Sequence, residues 1–470
     1  MRTKISLTIA FVFAMWAGAS AQSTFFDGVS DDAESQAVMK QAAADIEKYR
    51  KGDFSFRVAD QKGNPIKGAK VEATLSHHLF DFGTNLGGVM PLKDDNPLKK
   101  TAQETILDIF NMVVVVNYWY HPMNDPHTEM IRKNIDWARE NGLRMRFHAI
   151  LFPQTKEMET FFDKNHTTEQ YWENIEERIQ YIADATGGDL AEYDVINEMV
   201  TNSMGNNNDF MEIFPNFPDF TDPQVVRRIF DLTRKYFPDT KLVGLESPMV
   251  LSINNEVNMS IIEYWKRCLA AGADIDLVGV QGHFFNYTLD YREGHPKFGP
   301  GAFTMQEINL ALDTLRSIGR PIVITEFTGP SRNKTHRPET RERLWTISDA
   351  ENAAWQINFY RLAFSKPYIE GLTRWNHIDG YFGRGMDAGI LTGTGEKHQI
   401  YDDLRKLIRE EWHTREALTT TKDGKASFRG FYGDYIISVD GYKPAKVRLD
   451  KNSGEMVVTL EKKSNQYEFE

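Results

Sequence analysis

Eight short apolar runs, each followed by a helix or a helix-capable stretch, constrain the fold of this chain more than any other feature. They are "LFDFGTN", "FNMVVVVN", "MRFHAIL", "AEYDVIN", "KLVGLE", "DLVGVQG", "PIVITEF" and "GLTRWN". Amphipathic segments such as "HTEMIRKNIDWARENG" and "PQVVRRIFDLTRKYF" lie between them. Such alternation makes consecutive strands parallel and joins them by crossover helices. Eight units is the number that closes a barrel, a fold that takes roughly 200 to over 400 residues. The expected class is α/β, a (β/α)8 TIM barrel over residues 77–413 with small flanking β elements. A doubly wound open sheet is the alternative, weakened because no Gly-rich phosphate loop follows the first strand.

The flanks read differently. "MRTKISLTIAFVFAMWAGASAQS" has a positive start, an apolar stretch and small residues at cleavage spacing. It is expected to be a signal peptide over residues 1–21, cut after Ala21, which makes the protein secreted or periplasmic. An uncleaved anchor is the alternative. Residues 22–76 read as a polar helix and then two alternating strands around a Gly/Asn/Pro turn, the chemistry of a β-hairpin. Residues 414–470 alternate at period two and are expected to form an antiparallel β module of roughly four strands. Phe428, Phe431 and Tyr432 are read there as exposed aromatics, with packing against the barrel or carbohydrate binding both open.

The formal net charge is −12 with no basic cluster, which argues against nucleic acid and anionic membrane as partners. No membrane span is expected once the signal is removed. The single cysteine, Cys268, excludes an intrachain disulfide and a cysteine-based metal site.

In a barrel of this kind the strand ends face the active site. They carry Asn117, followed by Tyr118, Trp119 and Tyr120; then His148; Asn197 with Glu198; Glu246; Gln281 with His283; Glu326; and Trp375. Two carboxylates on nearby strand ends suit glycosidic bond cleavage, which needs one proton donor and one ionised carboxylate. Glu198 is the expected acid and Glu326, ending "VITE", the expected nucleophile. Asn197 can hydrogen-bond a sugar hydroxyl, and Trp375 can stack on a sugar face. A metal site from His148, His283 and Glu246 is conceivable, but no close ligand pair supports it.

These motifs together resemble glycoside hydrolase family 10, the endo-β-1,4-xylanase family. "YDVINE" is similar to that family's acid/base strand, "IVITEF" to its nucleophile strand and "VGVQGHF" to its Gln/His strand. "FHAIL" matches through His148, and "LTRWN" through the platform tryptophan. The resemblance implies that Glu198 is the acid/base and Glu326 the nucleophile. It implies that Asn197 contacts the sugar bound at the nucleophile and that His283 hydrogen-bonds the nucleophile. By the same resemblance His148 and Asn117 are sugar contacts, Gln281 lines the site and Trp375 is a platform. It implies a retaining, endo-acting enzyme on xylan or a decorated xylan, without metal or organic cofactor, with a polysaccharide as its partner and as a monomer. The chain departs from the family where Val116 and Tyr120 replace a Glu and a Lys, and where Phe152 and Pro153 replace a Trp and a His. Trp119 or Tyr120 is expected to recover part of the lost sugar contact by stacking. A barrel glycosidase on another β-linked glycan, or a binding protein with weakened catalysis, remains open.

Overall fold

The computed structural model describes residues 33–463 apart from 120, 154–157, 159–161, 199–209, 247–254, 285–303, 336–342, 347 and 382–386. The expected cleavage after Ala21 and the reading of Tyr120 lie outside the described residues.

A polar helix, Ala33–Tyr49, leads into strands β1 (Lys51–Asp60) and β2 (Lys70–His78). Then come β3 (Asp81–Asn85), β4 (Met112–Val116), β5 (Arg144–His148), β6 (Glu192–Asn197), β7 (Lys241–Glu246), β8 (Leu277–Val280) and β9 (Ile322–Phe327). A small antiparallel pair follows, β10 (Asn333–Thr335) and β11 (Arg343–Thr346), which alternation did not suggest. The series ends with β12 (Ile369–Arg374), β13 (Arg415–Thr419), β14 (Lys425–Phe431), β15 (Gly433–Val439), β16 (Ala445–Leu449) and β17 (Met456–Leu460).

The eight expected barrel strands close into a ring in the order β12-β3-β4-β5-β6-β7-β8-β9. Their ladders are parallel. Runs such as "MVVVV" and "IVITEF" are buried almost throughout, as strands covered on both faces must be. Several crossover helices begin on side-chain caps that satisfy otherwise orphan first amides. Thr167 and Ser348, for example, each form a capping box with the residue three places on.

The flanks correct the sequence reading. The Gly/Asn/Pro turn is present, with Asp60 and Asn64 bonded through their backbones, but β1 and β2 do not form a hairpin ladder. They enter two different sheets, β14-β1-β17 and β13-β2-β15-β16. Every ladder partner of these two N-terminal strands comes from the C-terminal segment. The two chain ends thus build one β structure, and its C-terminal contribution is five strands, not four. Its ladders are not all antiparallel, since β1 runs parallel to β17. Phe428 and Phe431 are buried. Phe428 lies opposite Phe54 on the neighbouring strand with ring centroids 5.5 Å apart, a cross-strand aromatic pair of the kind that fixes register. Arg50 ties this structure to the barrel. Its guanidinium donates to the carbonyls of Phe364, Lys366 and Ile369 at 2.6, 2.6 and 2.7 Å. Burial holds it below the ordinary arginine range, at about 9.

Among the described residues no helix is long and apolar enough to cross a membrane. Cys268 is buried and unpaired with another cysteine.

Candidate active site

The site is built at the C-terminal ends of the barrel strands, where each strand stops being apolar. Glu326 sits in β9 and is 4% exposed. Glu198 follows the last residue of β6 and is half-buried. Its φ of +57° is the one positive value at a non-glycine residue among the described residues. A residue without glycine's freedom costs energy in that region, and such strain gathers where a side chain must be aimed. The turn is pinned by the Glu198 amide, which donates to the Leu245 carbonyl at 3.2 Å.

Gln281 joins the two carboxylates. Its carbonyl accepts from the Glu326 amide at 3.0 Å. Its Nε2 donates to Glu198 Oε1 at 2.6 Å and lies 3.3 Å from Asn197 Oδ1. The expected acid, the expected nucleophile, Asn197 and Gln281 therefore belong to one connected cluster.

Two histidines flank Glu326. His283 Nε2 lies 3.1 Å from Glu326 Oε2, and its Nδ1 lies 2.9 Å from Thr328 Oγ1. Burial pushes His283 down to about 3, so the ring is neutral. With an ionised Glu326, the consistent tautomer carries its proton on Nε2 and accepts the Thr328 hydroxyl at Nδ1. His148 sits between two acids, with Nδ1 2.8 Å from Asp194 Oδ2 and Nε2 3.7 Å from Glu326 Oε1. Burial opposes its charge, but Glu326 and Asp194 outweigh burial and its pKa is raised. Glu326 itself is pushed up to about 8, chiefly by burial; His148 pulls it down while Glu198 and Asp194 push it further up.

Trp375 closes this cluster. Its ring stands edge-on to His148 at 5.1 Å and to His283 at 6.5 Å, and it is 2% exposed. Asn117 is wholly buried, and Arg178 claims its acceptor. The guanidinium donates to Asn117 Oδ1 at 3.0 Å and to the Asn117 carbonyl at 2.8 Å. The same arginine donates to the carbonyls of Ile150 and Ala149. Only the Asn117 Nδ2 donor is left without a hydrogen bond among the described residues. Asn85 Nδ2, Gln281 Oε1 and Glu326 Oε1 share that condition. Buried polar atoms are nearly always satisfied, and these four belong to residues in or just after β3, β4, β8 and β9, towards the C-terminal ends of those strands.

Some expectations need correction. Trp119 is 3% exposed and packs against Phe162 at 5.4 Å and Phe217 at 6.1 Å. It belongs to the core and offers no face for a sugar. Tyr118 instead faces the site, edge-on to His148 at 5.7 Å. Among the described residues no cluster of His, Cys, Asp and Glu is arranged to hold a metal ion, and Glu246 is fully buried at the end of β7. Sequence reading also passed over Asp194 and Asn85. An acidic residue inside the apolar run "YDVIN" was the available signal for Asp194.

Comparison with known proteins places this geometry. The sequence model of glycosyl hydrolase family 10 matches residues 82–388. The anti-sigma-I factor RsgI6 of Acetivibrio thermocellus is 26% identical over 431 residues, covering 89% of this chain and 49% of that protein. Endo-1,4-beta-xylanase 3 of Arabidopsis thaliana is 22% identical over 308 residues, 65% of this chain and 35% of that protein. The chain thus spans half or less of the length of these relatives. Among solved structures, a GH10 endoxylanase retrieved from a sugarcane soil metagenome superposes with a TM-score of 0.54 at 17% identity, covering 70% of this chain and 97% of that one. Xylanase 10B of Thermotoga petrophila, solved in complex with xylobiose, superposes with a TM-score of 0.51 at 16% identity, covering 70% and 94%.

Proposed function

The chain belongs to glycosyl hydrolase family 10, and from that membership we propose that it cleaves internal bonds of β-1,4-xylan or a decorated xylan with retention of configuration. The observation that carries the proposal is the connected pair Glu198 and Glu326 at the ends of β6 and β9, joined through Gln281.

In this reading Glu326 attacks the anomeric carbon from one face while Glu198 gives its proton to the leaving oxygen. A glycosyl ester forms on Glu326. Glu198 then takes a proton from water, which attacks the same carbon, and Glu326 leaves as carboxylate. The burial asymmetry suits these roles. The half-buried acid/base must meet both leaving group and water, whereas the buried nucleophile meets only the sugar. The free site favours a proton on Glu326, while turnover requires Glu326 ionised and Glu198 protonated. Charged His148 and the Nε2–H of His283 are the groups that favour the ionised nucleophile.

Asn197, Asn117, His148 and Trp375 are proposed to hold the sugar at Glu326, with Gln281 orienting Glu198. The altered residues, Val116 and Phe152 among them, lie beyond the bond-breaking pair and bear on which decorations are accepted. Residues 77–413 are proposed as the catalytic unit, acting as a monomer outside the cytoplasm without metal or cofactor.

A second reading is a barrel that binds glycan with weakened catalysis. One relative matched over most of this chain bears the name of an anti-sigma factor. Reducing-sugar release from a panel of xylans, glucans, mannans and galactans separates the two. Product stereochemistry by NMR in the first minutes decides retention. Absence of release from every polysaccharide, with binding intact, would favour the second reading.

A further inference from the structure

We propose that Asn85 and Tyr381 are specificity-determining residues that hydrogen-bond a hydroxyl of the pyranose bound at Glu326, with the Tyr381 ring closing that sugar's pocket on the side of β3. The inference deepens the xylanase reading and rests on it.

Asn85 ends β3 and is 1% exposed. Its Oδ1 accepts from the Gly87 amide at 2.6 Å. That bond fixes the carboxamide and leaves Nδ2 as a buried donor with no hydrogen bond of ordinary geometry. Tyr381 arrives from the loop after β12, across the neighbouring strand joint, since β12 and β3 are paired in the barrel. Its ring lies over the Gly87–Gly88 backbone. A methyl group placed on Gly87 would come 2.1 Å from Tyr381 Oη and 3.0 Å from Asn85 Oδ1. The two polar groups therefore face one small volume, and glycine is required there by crowding. A methyl on Gly88 would strike the ring itself at 2.7 Å.

The ring edge reaches solvent, at 38% exposed, while the hydroxyl is turned inward. Burial pushes the phenol up; the Asn85 carboxamide pulls it back, and the Glu326 carboxylate pushes it up again. The hydroxyl thus stands beside the Asn85 carboxamide and within electrostatic reach of Glu326. A buried carboxamide donor at the end of β3 with a phenol beside it, at the barrel mouth that also holds Glu326, suits one oxygen of a bound sugar. A hydroxyl can accept from Asn85 Nδ2 and donate to or accept from Tyr381 Oη.

The test uses the full chain with Tyr381→Phe, Asn85→Ala and Gly87→Ala. The last displaces the phenol without altering either proposed contact residue. Substrates are aryl β-xylobiosides deoxygenated in turn at each hydroxyl of the sugar that carries the aryl group, with xylobiose binding measured by calorimetry. Wild type should lose about tenfold in kcat/KM on the analogue lacking the recognised hydroxyl. Each variant should lose about the same on the parent substrate and should no longer discriminate against that one analogue, while discrimination at the other hydroxyl persists. A merely structural role would lower all substrates alike. If wild type cleaves and the variants keep every discrimination, this inference falls and the xylanase reading stands. If wild type neither binds nor cleaves, both fall.

Discussion

His148 and Glu326 stand on strands four places apart in an eight-strand ring, on opposite sides of the barrel, and their side chains meet 3.7 Å apart. The contact spans the mouth of the barrel. It sets a buried imidazole, charged through Asp194 and Glu326, against the carboxylate expected to attack the sugar. Electrostatics in this site are therefore shared between strands distant in sequence.

The His148 charge lowers the Glu326 pKa, against a burial effect that raises it to about 8. Replacing His148 by Gln removes that help, so Glu326 becomes harder to ionise. The acid limb of kcat/KM should move to higher pH, and activity near neutrality should fall by about tenfold or more. A limb that stays in place or moves to lower pH would remove His148 from the electrostatics of the nucleophile.

Stability should show the same burial. The folded protein holds the Glu326 proton up to about 8, whereas the ordinary value is 4.5. Folding therefore favours the protonated form. Its contribution is fully present below 4.5 and is lost as pH rises to about 8. Glu326→Gln, which cannot ionise, should leave the melting temperature nearly unchanged at acid pH and raise it above about pH 8. Melting curves across that range are the check. Equal effects at both ends would contradict the assigned cause.

Gln281→Ala removes the 2.6 Å bond to Glu198 and keeps the backbone bond to Glu326. A hydrogen bond to a charged group contributes about 1.5–3 kcal/mol. kcat should fall by roughly ten- to a hundredfold with little change in melting temperature. A large loss of stability with kcat intact would make Gln281 a structural residue.

The flanking sheets are expected to fail as a unit. Cutting the chain after residue 413 strips β1 and β2 of all their ladder partners. It also exposes both edges of two long strands, which invites aggregation. The truncated protein should lose roughly 10 °C or more in melting temperature, or come out insoluble. Unchanged melting would mean that the ends are dispensable additions.

The barrel was legible because its signal is local: each buried strand is a short apolar run, and each carries its polar residue where the run ends. Asn197, Glu198 and Glu326 could be found that way. What was not legible depends on partners far along the chain. Nothing near Asn117 announces that Arg178, in the helix Thr168–Thr186, takes its acceptor. Nothing in "DFSFRVAD" announces a ladder with "KASFRGF" over three hundred residues later, so the adjacent turn suggested a hairpin. Trp119 follows a strand end just as Tyr118 does, and only Phe162 and Phe217 decide that it faces the core. Asn85 ends the run "LFDFGTN", and only Tyr381 and Gly87, brought beside it by the fold, set it apart from the other strand ends.

Glu326 is expected to form a covalent bond to the sugar. Incubation with 2,4-dinitrophenyl 2-deoxy-2-fluoro-β-xylobioside should release one dinitrophenolate per protein and stop. The fluorine slows both formation and hydrolysis of the ester, and the activated leaving group restores its formation alone, so the ester accumulates. Mass spectrometry of the digested protein should then place one fluoroxylobiosyl group on the peptide bearing Glu326, and Glu326→Ala should take up none. An adduct on another residue, or steady turnover of xylan by Glu326→Ala, would remove Glu326 as the nucleophile.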